Sequence, residues 1–131
     1  VSRDTNSIDV HGNQYALMAA SKCFTKTSTL TCNTCHNPHE NEKGKTLSFS
    51  QKCMSCHSED DKNTVVCKLI ARHGKAIKAN CIDCHMPKQP SLAIAVMLQG
   101  ATDPTRTLIH THYIKVYPEK TKKILAFIKK L

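Results

Sequence analysis

The 131-residue chain contains no tryptophan and only three phenylalanines and three tyrosines. A domain of this length normally buries more aromatic surface than that, and the mean hydropathy of −0.39 is also low. A self-sufficient aromatic core is excluded, so something besides side chains is expected to fill the interior. Acidic residues are scarce as well, ten against nineteen Lys and Arg, which leaves a formal charge of +9. Such a surplus ordinarily suggests an anionic partner. No groove-reading motif accompanies it, so no nucleic-acid partner is expected. Long apolar runs are missing too. The longest lies within Leu92 to Leu98, far short of the roughly 20 residues a membrane span needs, so no transmembrane segment is expected. The chain opens at Val1 without a Met or an apolar leader, which reads as a mature or trimmed form whose export signal is gone. The length suits one domain.

Cysteine and histidine, by contrast, are abundant, with eight of each. That composition fits a disulfide scaffold, a zinc protein or a haem protein, and spacing separates the three. Cys-x-x-Cys-His occurs three times: Cys32, Cys35 and His36; Cys53, Cys56 and His57; Cys81, Cys84 and His85. One helical turn places two thiols where they can add to two vinyl groups on a porphyrin edge. The next residue, His, then lies under the ring and gives a nitrogen to iron. Each motif is thus a covalent tether with a proximal ligand.

Zinc is the sharpest competitor, since Cys32, Cys35, Cys53 and Cys56 have ribbon-like spacing. A zinc site makes no demand on the residue after each pair, however. With this histidine content, His falls there three times by chance in roughly 2 of 10,000 cases. The third pair would also lack partners. A thioredoxin-like redox pair fails because no βαβ pattern surrounds any motif.

Three irons call for three sixth ligands, and five histidines remain: His11, His39, His73, His110 and His112. His39 follows the proximal His36 by three residues and cannot reach the far face of the same ring. If it binds iron, it binds a neighbouring haem, with the haem on Cys53 and Cys56 as the expected target. His11, on a lead before a short helical pattern (Tyr15, Met18, Ala19), can fold over the first haem. His110 and His112 share one face of an extended stretch, Thr107 to Tyr117. His73 closes an expected amphipathic helix, Thr64 to Arg72, before Gly74, where a helix C-terminus alone explains it. Met18 and Met97 read as core residues. Histidines outnumber irons, so bis-His, low-spin irons with no open position are expected.

Several stretches resemble a family of bacterial multihaem c-type cytochromes with paired haem motifs. They are Ser21-Lys22-Cys23-Phe24, Thr31 through His39 with its His-Asn-Pro-His end, Lys52 through His57, Asn80 through Pro87 with its Cys-His-Met-Pro end, and Thr111-His112-Tyr113-Ile114. The resemblance implies that His39 serves the following haem and favours His112 over His110. It also implies electron transfer in respiration or to extracellular acceptors. The Cys-x-x-Cys-Lys haem site of reductase relatives is absent.

Cys23 and Cys67 belong to no haem motif. Haem c is attached outside the cytoplasm, where spare thiols pair. A Cys23–Cys67 bridge is expected, contributing roughly 3–4 kcal/mol through loop closure. The fold expected is mainly α with extensive irregular loops, one domain wrapped around three covalently bound haems, with little or no sheet. Residues 1–31 form a lead carrying His11 and Cys23, 32–57 a two-haem segment, 58–90 a linker helix and third haem, and 91–131 a helical and extended tail. Ser91 to Gln99 reads as a capped apolar helix stopped by Gly100. The stretch from Pro118 reads as a basic amphipathic helix with Ile124, Phe127, Ile128 and Leu131 on one face. Gaps of 17 and 24 residues from one cysteine pair to the next exclude a solenoid repeat.

Three haems bring about −6 from their propionates, which takes up most of the positive surplus. Electron transfer is therefore expected, not enzymatic turnover, with three haem c groups as cofactors, redox proteins as partners, and a periplasmic or extracellular location. One form is a repeating subunit of an extracellular filament, a homopolymer. The alternatives are a free periplasmic shuttle and a small reductase of nitrogen oxides.

Overall fold

The computed structural model describes residues 9–27, 29–60, 62 and 64–130. These are mostly short helices and loops, with one two-stranded antiparallel sheet. The chain divides into two compact units, Val1–Leu30 with His85–Tyr117, and Thr31–Cys84 with Pro118–Leu131.

The first unit holds α1 (Gln14–Ala19), α2 (Lys22–Lys26), β1 (Lys88–Val96) and β2 (Thr105–His110). Helix α1 buries Leu17 and Met18, and Val10 joins them. Ser21 at the α1–α2 junction is fully buried, and its hydroxyl accepts from the Ile114 amide at 2.8 Å. The same hydroxyl lies 3.1 Å from both the Leu17 and the His112 carbonyls, so its one proton serves either. Tyr15 and Phe24 meet edge to face at 6.0 Å.

The strands correct one expectation, since Ser91 to Gln99 is not a helix, while this single pair is the little sheet that was expected. Strand β1 pairs with β2 from Lys88 opposite His110 to Val96 opposite Thr105, with an irregularity between Pro90 and Ala95. Ser91 does accept hydrogen bonds from the Ala93 and Ile94 amides, as a helix cap does. The Asp9 carboxylate, however, also takes the Leu92 and Ala93 amides and the Ser91 hydroxyl. Those donors are consumed in a strand irregularity, and no helix propagates. Gly100, at φ +82°, turns the chain between the strands. Met97 is 63 % exposed, which corrects its reading as core.

The second unit holds α3 (Cys32–Cys35), α4 (Thr46–Met54), α5 (Ile70–His73), α6 (Lys75–Lys78), the start of α7 (Cys81–His85) and α8 (Pro118–Ile128). Ile70, Ile77, Ile82 and Cys84 are its buried apolar groups. Buried Ser50 on α4 donates to the Ala79 carbonyl at 3.1 Å. The helix expected from Thr64 shrinks to α5. Upstream of it the Thr64 hydroxyl is spent on the Cys56 carbonyl, and the Val65 carbonyl on the His57 ring. Gly74, at φ +52°, separates α5 from α6. Helix α8 forms as expected but buries none of its residues, and Phe127 is 64 % exposed. Leu131 lies outside the described residues. The most deeply buried larger side chains are hydroxyls, Thr111, Ser21, Ser50 and Ser91. The thin core read from the composition is thus visible in the fold.

Candidate haem-binding sites

Each Cys-x-x-Cys pair sits on a single helical turn. Thr31 precedes α3, and its amide donates to the Thr34 hydroxyl at 2.9 Å, closing the turn that carries Cys32 and Cys35. Cys53 lies in the last turn of α4, and the Cys56 and His57 amides return to its carbonyl at 3.2 and 3.0 Å, which keeps Cys56 on the same turn. Cys81, Cys84 and His85 all lie on α7.

The rings that follow share one feature. His36 Nδ1 lies 3.2 Å from Glu42 Oε2. His57 Nδ1 lies 2.9 Å from the Val65 carbonyl, and His85 Nδ1 lies 2.9 Å from the Lys115 carbonyl. A carbonyl or carboxylate oxygen can only accept, so in each ring Nδ1 carries the proton. Nε2 then carries the lone pair that a metal needs. Holding the second nitrogen on an acceptor is how proteins fix a ligating histidine. All three motif histidines therefore fit a haem iron.

These acceptors are themselves held. Glu42 is bound by Lys52 Nζ at 2.9 Å, and Lys52 also reaches the Cys35 carbonyl. The Lys52 hydrogen bond is the main reason the Glu42 carboxyl is held below its ordinary range, against an opposing effect of burial. Lys115 is sandwiched by Tyr113 and Tyr117, its ammonium 4.5 and 5.1 Å from their ring centres. Its amide also faces the His85 carbonyl.

Among the other histidines, His110 Nδ1 donates to the Met86 carbonyl and His112 Nδ1 to Gln14 Oε1 at 2.8 Å. Both are half-buried and both present Nε2 as the lone-pair nitrogen, so this geometry suits either as a ligand. His11 and His39 are exposed, and His73 is half-buried at the end of α5. The His39 amide donates to Asn37 Oδ1 in the tight turn around Pro38. Gln14 and Glu42 carry no motif signal, and the sequence reading missed them, while Lys52 entered it only as the residue before the second motif.

Cys23 and Cys67 carry free thiols in this structure, so the expected bridge between them is not formed. Cys23 belongs to the first unit and Cys67 to the second. Burial pushes the Cys23 thiol up. Burial also pushes Cys84 up, to about 11, with further contributions from Cys67, Asp83 and Cys81. The described residues contain no cluster of three or more His, Cys, Asp or Glu arranged to hold a bare metal ion. No described helix is long and apolar enough to cross a membrane.

Cysteine pairs on single turns, each followed by a histidine with its Nδ1 proton tied down, define a c-type cytochrome. Residues 43–126, well over half of the chain, match the family model of the NapC/NirT cytochrome c family, N-terminal region, and the chain belongs to that family. The match takes in the second and third motifs with His73, His110 and His112, while the first motif, His11 and His39 precede it. No curated protein and no solved structure matches the chain. The expectation of a multihaem-type cytochrome c that binds haem covalently and transfers electrons is met at the level of the family.

Proposed function

We propose that the chain carries three haem c groups, on Cys32 and Cys35, Cys53 and Cys56, and Cys81 and Cys84, and conducts electrons among them. His36, His57 and His85 are the proximal ligands, and His11, His39 and His112 the distal ones. The observation that supports this most is the shared acceptor geometry at Nδ1 of all three motif histidines. Bound haem iron supplies reversible one-electron chemistry. The chain's own residues orient the imidazoles. A thin core and many exposed apolar side chains suit a fold completed by flat apolar groups. Surplus histidines support closed irons that take no substrate, so the protein is a carrier. Its place is outside the cytoplasm, where haem c is attached and where Cys23 and Cys67 can pair.

The test is a pyridine haemochrome assay with electron paramagnetic resonance of the native protein. Three haems per chain with low-spin signals are expected. A high-spin ferric signal, or carbon monoxide binding after reduction, would replace the carrier with the small reductase.

The carrier works as a stacked subunit of an extracellular filament. This reading is supported by exposed Leu92, Met97, Leu98 and Leu108 on and beside the strands, apolar groups that a neighbouring copy can cover. Electron microscopy of native material is expected to show filaments. Discrete small particles would make it the free shuttle.

A further inference from the structure

The three proximal histidines differ in what receives the Nδ1 proton. His57 and His85 give it to neutral backbone carbonyls, whereas His36 gives it to a carboxylate. Charge-assisted hydrogen bonds are roughly twice as strong as neutral ones. The His36 contact is longer, 3.2 Å against 2.9 Å, but that difference weakens a Coulomb attraction by only about a tenth. The charge therefore outweighs the distance. A carboxylate partner draws the Nδ1 proton away from the ring and raises the basicity of Nε2. A more basic ligand favours ferric over ferrous iron.

Glu42 is built into place. Its side chain is 13 % exposed, Lys52 occupies Oε1, and Oε2 faces His36. Lys52 lies over the Phe49 ring at 5.0 Å, and Phe49 packs on the His36 ring at 4.9 Å. The ring, the carboxylate and the ammonium thus brace one another.

We infer that Glu42 is a positioning residue that makes His36 the most basic of the three proximal ligands and lowers the reduction potential of the haem on Cys32 and Cys35. The inference rests on the reading of His36 as an iron ligand. No other described motif histidine has a carboxylate partner at its ring among the hydrogen bonds of the structure.

The test uses the haem-loaded protein. In E42Q, which keeps the shape and removes the charge, one of the three midpoint potentials is expected to rise while the other two hold. A tenfold change in the reduction equilibrium is about 59 mV for a one-electron couple. Three unchanged potentials in a fully loaded, low-spin E42Q would overturn the inference. A second measurement needs no variant. In the ferrous wild-type protein the His36 Nδ1 proton is expected to resonate downfield of those of His57 and His85. A His36 resonance grouped with the other two would also overturn it. If peptide mass spectrometry finds no haem on Cys32 and Cys35, the ligation reading itself falls.

Discussion

Gln14 Oε1 accepts two hydrogen bonds from His112, one from the backbone amide at 3.1 Å and one from ring Nδ1 at 2.8 Å. The first identifies the atom. An amide N–H can only donate, so the Gln14 atom facing it is the oxygen. The ring nitrogen on that oxygen must then be the protonated one, and Nε2 is left with the lone pair. Gln14 Nε2 completes the arrangement by donating to the His110 carbonyl at 3.1 Å. One side chain therefore sets the tautomer and the aim of His112.

Replacing Gln14 by Leu removes that acceptor. Loss of such a partner typically costs about 10–100-fold in metal affinity. A high-spin fraction is expected at one haem in Q14L, read by electron paramagnetic resonance, while Q14E keeps the acceptor and the low-spin signal. An unchanged spectrum in both Q14L and H112A would remove His112 from the ligand set and leave His110 in its place.

Ser21 is completely buried and ties α1 to the segment that carries His112. In S21A the Ile114 amide loses its acceptor. A buried group left unsatisfied costs about 1–3 kcal/mol. Urea unfolding followed by circular dichroism is expected to show that loss. A midpoint equal to wild type would mean that water replaces the hydroxyl.

The attachment chemistry was legible because it is local. Two cysteines and a histidine within five residues declare themselves without knowledge of the fold. What holds each histidine was not legible, for although Glu42 lies only 6 positions from His36 and Val65 only 8 from His57, other partners come from afar. Lys115 lies 30 positions from His85, and Gln14 lies 98 from His112. Backbone carbonyls, moreover, carry no sequence signature at all. Ser91 shows how a sound local signal can mislead. Its hydroxyl does bind two amides as a cap does, but Asp9, far off in sequence, shares the Ala93 amide, takes the Leu92 amide as well and holds them in a strand. The Thr64 to Arg72 helix failed for a related reason, because the second haem motif takes its first polar groups.

Asp9 predicts a pH dependence. Burial opposes its charge, but hydrogen bonds from His11, Leu92, Ala93 and Ser91 outweigh that and lower its pKa. A carboxyl lowered on folding stabilises the fold above its unfolded value of about 3.9, and the contribution is lost as pH falls through the lower folded value. Wild type is therefore expected to be more stable than D9N near neutrality, with the gap closing in acid below about pH 4. Thermal unfolding across that range checks this. A gap independent of pH would assign the role of Asp9 to shape and not to charge.

The last prediction concerns the order in which the motifs can be loaded. Cys32 and Cys56 are exposed, whereas Cys84 is buried, at 7 % exposure, with its thiol pushed up to about 11. The thiolate is the reactive form, and an ordinary cysteine titrates near 8.5, so at pH 8 a thiol shifted this far holds about two orders of magnitude less thiolate. Burial slows it further. In the chain before haem attachment, brief iodoacetamide treatment under native conditions is expected to modify Cys32 and Cys56 first and Cys84 last. Denaturant should equalise all three. Peptide mass spectrometry reads the order directly, and equal labelling without denaturant would refute it. If the order holds, α7 must be open when its haem is joined, because a folded α7 withholds one of the two thiols that the attachment needs.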